Sequence, residues 1–236
     1  MKKFTSRLII VIAVLVATLY LSGTEYVLKA VQTIYLQGRT TASIDDYTFF
    51  DNKVVTIGNS KAWPLHKNYN KVSATDRLSK LHKTQGTVAF LIIKNDSILF
   101  EKYYDGYNEN SKSNSFSMAK SYVSGLLGKA IMEGHIKSLD QPVGDFFPQY
   151  NSGLSSEVTV GDLASMASGS SWKESYYSPF TITARAYFGK ELEKTILGLT
   201  TVSSPGESFK YASGDTQLLA MVIEKATGKK MYDYLV

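Results

Sequence analysis

One stretch constrains this chain more than any other: Ser115–Gly134, SFSMAKSYVSGLLGKAIMEG. Met118, Tyr122, Leu126 and Ala130, flanked by Val123, Leu127 and Ile131, recur at helical spacing and mark one apolar face. Such a helix must be covered by other elements, so a core has to be built around it. Gly134 stands where a left-handed C-cap belongs. Ser117 and Lys120 fall on the first turn, three residues apart and on one face, so the amine can reach the serine oxygen. A serine hydroxyl is a poor nucleophile until a neighbouring base takes its proton. Unpaired N–H groups at a helix start also favour a developing alkoxide. The pattern points to Ser117 as nucleophile and Lys120 as its base, although an ordinary core helix with a polar first turn explains the same letters.

S-x-x-K is a short motif, and it recurs at Ser170–Lys173. There SYYSP follows and Pro179 closes the window, so the second copy has no buried helix behind it.

Composition narrows the chemistry. With 236 residues and 44% hydrophobic content the chain can bury a core. The absence of cysteine excludes disulfides, thiolate metal sites, cysteine nucleophiles and a lipoprotein anchor. His66, His82 and His135 lie in polar surroundings without metal-ligand spacing, so all three are expected at the surface and no metal is implied. The net charge of +5 is scattered apart from a terminal cluster of Lys2, Lys3 and Arg7, which speaks against a nucleic-acid partner.

After that cluster, Leu8–Leu21 is uninterrupted apolar sequence. Residues 1–24 therefore read as a secretory signal or an uncleaved membrane anchor, the latter favoured because no clean cleavage pair follows. Either way the rest of the chain is expected outside the cytoplasm. Residues 25–72 read as a linker and irregular lead-in, and residues 73–236 as the N-terminal part of the main domain. Within that domain Ser73 or Thr75 caps a short helix over Asp76–Lys83. VAFLIIK and SILFEKYY form a hairpin turning at Asn95-Asp96, and the first arm, almost wholly apolar, is expected at the centre of a sheet covered on both faces. Thr159 and Asp162 fit a capping box on a helix over Val160–Ala167. Trp172, Tyr176, Tyr177 and Phe180 make an aromatic loop of the kind that lines pockets or covers small cores. Ala184–Leu197 reads as one surface helix, and Asp215–Thr227 as an amphipathic helix stopped by Gly228. A further helix opens at Lys229 and is still running at Val236, which suggests a fragment.

An apolar hairpin, S-x-x-K on a helix, TVGDLASMASG, and P-G-E-x-F-x-Y-x-S before an amphipathic helix occur in that order. Over about residues 87–236 this set resembles the β-lactamase and penicillin-binding-type serine hydrolases. It is most similar in texture to their class C-like branch of 6-aminohexanoate-dimer hydrolases and related esterases. The resemblance implies an α/β (α+β) fold of the β-lactamase/transpeptidase-like kind: an antiparallel sheet flanked by helices plus a helical subdomain, incomplete at the C-terminus. It implies Ser117 as nucleophile, Lys120 as general base and Tyr211 as the group that carries a proton to the leaving atom. Without that context Tyr211 is one of 16 tyrosines. Ser213 stands where many class C enzymes have Asn; it and Trp172 are implied substrate contacts. No Lys-Thr-Gly or His-x-Gly follows Tyr211, so a strand that normally supplies half of an oxyanion hole is missing.

Three functions are compatible with these readings. The first is an exported serine hydrolase that cleaves a small-molecule or peptide-like amide or ester through an acyl-Ser117 intermediate, with no cofactor. The second is a D-alanyl-D-alanine peptidase or β-lactamase. The third is a non-catalytic, membrane-tethered scaffold or binding protein that keeps the fold.

Overall fold

A computed structural model of the chain describes residues 2–55, 58 and 61–236. Thr56, Ile57, Asn59 and Ser60 of the expected lead-in, and the side chains of Lys2 and Lys3, lie outside the described residues. The regular elements are α1 (Lys2–Leu21), α2 (Tyr26–Thr33), α3 (Asp76–Gln85), β1 (Ala89–Lys94), β2 (Ser97–Tyr103), α4 (Ala119–Met132), α5 (Val160–Ala164), α6 (Ile182–Phe188), α7 (Leu192–Leu197), α8 (Ser213–Thr227) and α9 (Met231–Tyr234). They fall into two compact units, 1–55 with 114–236, and 56–113.

The larger unit holds a helical core. Leu126, Leu127 and Ala130 of α4 bury against Leu218, Leu219, Val222 and Ile223 of α8, with Leu163 of α5, Ile196 of α7 and Tyr234 of α9 filling in around them. The apolar face expected on α4 is buried only in its C-terminal half: Met118 and Tyr122 are exposed. Gly134 adopts the left-handed φ of +76° beyond the helix end. The capping box forms as expected, Thr159 Oγ1 accepting from the Asp162 N–H at 3.1 Å while the Thr159 N–H donates to Asp162 Oδ2 at 2.9 Å. The helix it starts ends at Ala164 rather than Ala167.

Ala184–Leu197 is not one surface helix. It breaks at Gly189, which is extended, into α6 and α7, and these bury Phe188 and Ile196. The two pieces serve different cores: Phe188 packs in the cluster that includes Tyr26, Val27, Ala30 and Ile34, whereas Ile196 packs in the main one. The segment read as a linker also has structure: Tyr26, Val27, Ala30 and Ile34 form a second apolar cluster with Phe188. Residues Phe4–Leu21 of α1 are apolar and exposed, and the 20-residue helix, about 30 Å long, is long enough to cross a membrane.

The smaller unit carries the hairpin. β1 and β2 pair antiparallel, and Asn95 and Asp96 both take positive φ, as a tight two-residue turn requires. The expectation of a central, doubly covered β1 is corrected here. Among the described residues the sheet has two strands, and Leu91, Ile92 and Ile93 are exposed. It is β2 that is flanked on both edges, since Ile98 also bridges Leu65. An apolar run states what a strand could bury, and only neighbouring strands decide what it does bury. His82 is a second correction. Only 5% exposed, it packs between Phe90 and Tyr104 and pairs with Thr87 Oγ1 at 3.3 Å. An imidazole has an apolar face, and this one is used for packing.

Asp215, in the first turn of α8, is 3% exposed and accepts from Ser168 Oγ at 2.8 Å. Burial pushes its carboxyl up to about 6, against the opposing pull of the Ser168 hydrogen bonds and Lys210. Its proton is thus held more tightly in the folded chain than in the unfolded one. Stability associated with Asp215 is complete below the unfolded value of 3.8, falls as pH rises towards about 6, and is level above that. The stability of Asp215→Asn relative to wild type is expected to improve by roughly 3 kcal/mol between pH 4 and pH 7 in urea melts. A pH-independent difference would contradict it.

Candidate active site

The α4 helix is preceded by a tight 3₁₀ turn, Phe116–Met118, so Ser117 sits just ahead of the α-helix and not on its first turn. Phe116 is in the left-handed region at φ +44°, a strained conformation for a bulky side chain that costs on the order of 1–3 kcal/mol. Lys120, on the first turn of α4, donates from Nζ to Ser117 Oγ at 3.1 Å. The same amine donates to Ser213 Oγ at 3.1 Å. Tyr211 donates from its phenol to Ser117 Oγ at 2.7 Å, and the Lys120 amine lies 5.3 Å from the centre of the Tyr211 ring. Four of the five residues named from sequence, Ser117, Lys120, Tyr211 and Ser213, therefore meet through hydrogen bonds.

The loop that delivers Tyr211 is tied down by its neighbours. Gly206 N–H donates to Ala167 O at 2.8 Å, Lys210 N–H to Met166 O at 2.9 Å, and Lys210 Nζ to Trp172 O at 2.6 Å. Ser213 then opens α8. Gly214, next in the chain, packs so closely on Trp172 that an added Cβ would come within 2.7 Å of the indole ring. This close approach, rather than backbone freedom, demands glycine there. Trp172 is 1% exposed, so its main contact is with the core, though one edge lines the cavity beside Ser117. The second S-x-x-K lies in extended chain, with Ser170 bridged to Thr201 and Lys173 offering no contact to the Ser170 hydroxyl, which instead accepts from the Trp172 N–H at 3.1 Å.

Glu174 was not singled out from sequence, yet it collects more hydrogen bonds than any other side chain at the site. It accepts from Trp172 Nε1 at 2.7 Å, from Ser213 N–H at 2.8 Å, from Ser213 Oγ at 2.9 Å, and from the Tyr176 hydroxyl. Burial alone pushes its carboxyl up. The hydrogen bonds from Tyr176, the Ser213 backbone, Trp172 and the Ser213 hydroxyl outweigh that and hold it below its usual value, so it stays ionised. Burial first, and the same contact second, push the Tyr176 phenol up to about 12. A Trp-x-Glu-x-Tyr spacing puts these three side chains on one side of an extended segment, and that alternation was the available signal.

Chemically, one hydroxyl meets both an amine and a phenol, and the amine is linked through Ser213 to a half-buried carboxylate. Ser117, Lys120, Glu174, Tyr176 and Ser213 are among the residues that line a cavity of about 440 Å³. Among the described residues no cluster of His, Asp or Glu is arranged to hold a metal ion.

Comparison with known proteins bears on the family and the fold. A family model described as Beta-lactamase matches residues 76–236. The 6-aminohexanoate-dimer hydrolase of Paenarthrobacter ureafaciens is 26% identical over 159 residues, covering 63% of this chain and 40% of that protein. Among solved structures, a Bacillus anthracis protein named after 6-aminohexanoate-dimer hydrolase superposes with a TM-score of 0.63 at 20% identity, over 87% of this chain and 56% of the other. A class C beta-lactamase superposes at 0.51 with 19% identity, over 66% of this chain and 44% of the other. The chain thus spans about half the length of the relatives it matches.

Proposed function

Because this chain belongs to the beta-lactamase family, we propose that it is a serine hydrolase that cleaves an amide or ester through an acyl-Ser117 intermediate. The observation that carries this reading is that Ser117 Oγ lies within hydrogen-bond reach of both Lys120 Nζ and the Tyr211 phenol. In acylation, Ser117 Oγ bonds to the substrate carbonyl carbon while its proton passes to the Lys120 amine. Tyr211, touching Ser117 Oγ, gives its phenol proton to the departing amine or alcohol as the bond to that group breaks, and the proton taken up by Lys120 restores the phenol. Water then attacks the acyl-serine, its proton returns along the same path, and the carboxylic acid leaves with Ser117 restored. These steps need no cofactor.

Glu174 acts here as a positioning residue. Its negative charge, relayed through Ser213, keeps the Lys120 amine directed at Ser117. Glu174→Gln is expected to lower kcat/KM about 10- to 100-fold, the range for losing hydrogen bonds to a charged group, while far-UV circular dichroism stays native. Unchanged kinetics would remove Glu174 from the mechanism.

The reading is tested most directly by intact mass after incubation with a fluorophosphonate. One adduct, mapping to Ser117, is the expected result; a folded chain that gains no adduct would favour a non-catalytic scaffold. We further propose that α1 anchors the chain or directs its export, placing the site outside the cytoplasm.

A further inference from the structure

We propose that the acyl half of the substrate is an uncharged alkyl chain, bound in a pocket with apolar walls beside Ser117. This deepens the reading of Ser117 as nucleophile and rests on it. A second cavity, of about 110 Å³, adjoins the one at the nucleophile. The two share walls made by Thr41, Ala42, Phe116, Tyr176, Thr183 and Tyr187. Phe116 precedes the nucleophile, and its left-handed backbone places its side chain in the wall common to both cavities.

Ala30, Ile34, Pro179, Ala184 and Phe188 give this pocket apolar wall, alongside hydroxyl-bearing residues such as Thr40 and Ser178. No Asp, Glu, Lys, Arg or His lines it among the described residues. A charged terminus placed there would lose its water without gaining an oppositely charged partner. Tyr211, which serves the leaving group, lines neither cavity, so the part of the substrate that stays on Ser117 is the part directed into them. Ala30 and Ile34 come from α2 and the turn after it, ahead of residue 76 where the family match begins. The N-terminal segment thus contributes part of the pocket wall.

The test compares kcat/KM of the whole protein for p-nitrophenyl acetate, butanoate, hexanoate and 6-aminohexanoate. Each methylene fully buried is worth about fourfold, so hexanoate is expected to exceed acetate by at least about tenfold, with partial burial allowed for. The 6-aminohexanoate ester is expected to fall about tenfold or more below hexanoate. Ala184→Phe and Thr40→Phe, which fill the pocket, should each bring the hexanoate-to-acetate ratio to near unity. A flat series, equal rates for hexanoate and its 6-amino form, or unchanged ratios in both variants would overturn the pocket. Fluorophosphonate labelling of Ser117 in the same preparations separates the two readings: with labelling retained, only the pocket fails. Absence of both labelling and turnover overturns the pocket and the nucleophile together. Should neither variant fold, the wild-type series decides alone.

Discussion

Replacing Ser117 with alanine is expected to lower kcat for an activated ester by about 10⁴- to 10⁶-fold, the range seen when a serine nucleophile is removed from an assembled catalytic group. The size of the effect follows from the contacts. Ser117 Oγ is the atom on which Lys120 Nζ and the Tyr211 phenol converge, at 3.1 and 2.7 Å, so its loss leaves both proton-transfer groups with nothing to act on. The change should leave stability almost untouched, because Ser117 lies in an exposed 3₁₀ turn and removes no buried contact. Steady-state hydrolysis of p-nitrophenyl esters together with a thermal melt checks both halves. Wild-type turnover by Ser117→Ala would end the acyl-serine mechanism.

Lys120→Ala carries the second-largest expected effect, about 10²- to 10⁴-fold in kcat, the usual contribution of a positioned general base. Two losses combine. The proton of Ser117 loses its acceptor, and Ser213 Oγ loses the donor that balances its bond to Glu174. Because Lys120 and Tyr211 act on one oxygen, their effects should not add: the double variant Lys120→Ala/Tyr211→Phe is expected to be no more than about tenfold worse than the poorer single variant. Full additivity of the two losses, measured on the same ester, would mean that the amine and the phenol work on separate steps.

How much of this was legible beforehand depended on the range of the interaction involved. The Asn95-Asp96 turn, the Thr159–Asp162 capping box, the Thr75 N-cap of α3 and the left-handed Gly134 and Gly228 all concern groups a few residues apart, and all are present. The partners of Ser117 were nameable too, because Lys120 is three residues away and Tyr211 sits in a recognisable loop. Glu174 was missed because its importance comes from Ser213, 39 residues further on. The buried His82, the exposed Met118 and Tyr122 and the uncovered β1 failed for a related reason: each was judged by what its side chain prefers, and burial depends on which neighbours arrive.

Sequence by itself determined the local skeleton, namely helix starts and stops, the hairpin and the S-x-x-K spacing, since backbone torsions and short-range hydrogen bonds are settled by adjacent residues. Tertiary structure alone decided that a half-buried carboxylate holds Ser213 and that the segment before residue 55 supplies a wall beside the nucleophile. The physical reason is that these contacts close long loops. They form only when the apolar core of α4, α5, α7 and α8 has offset the entropy of bringing distant stretches together.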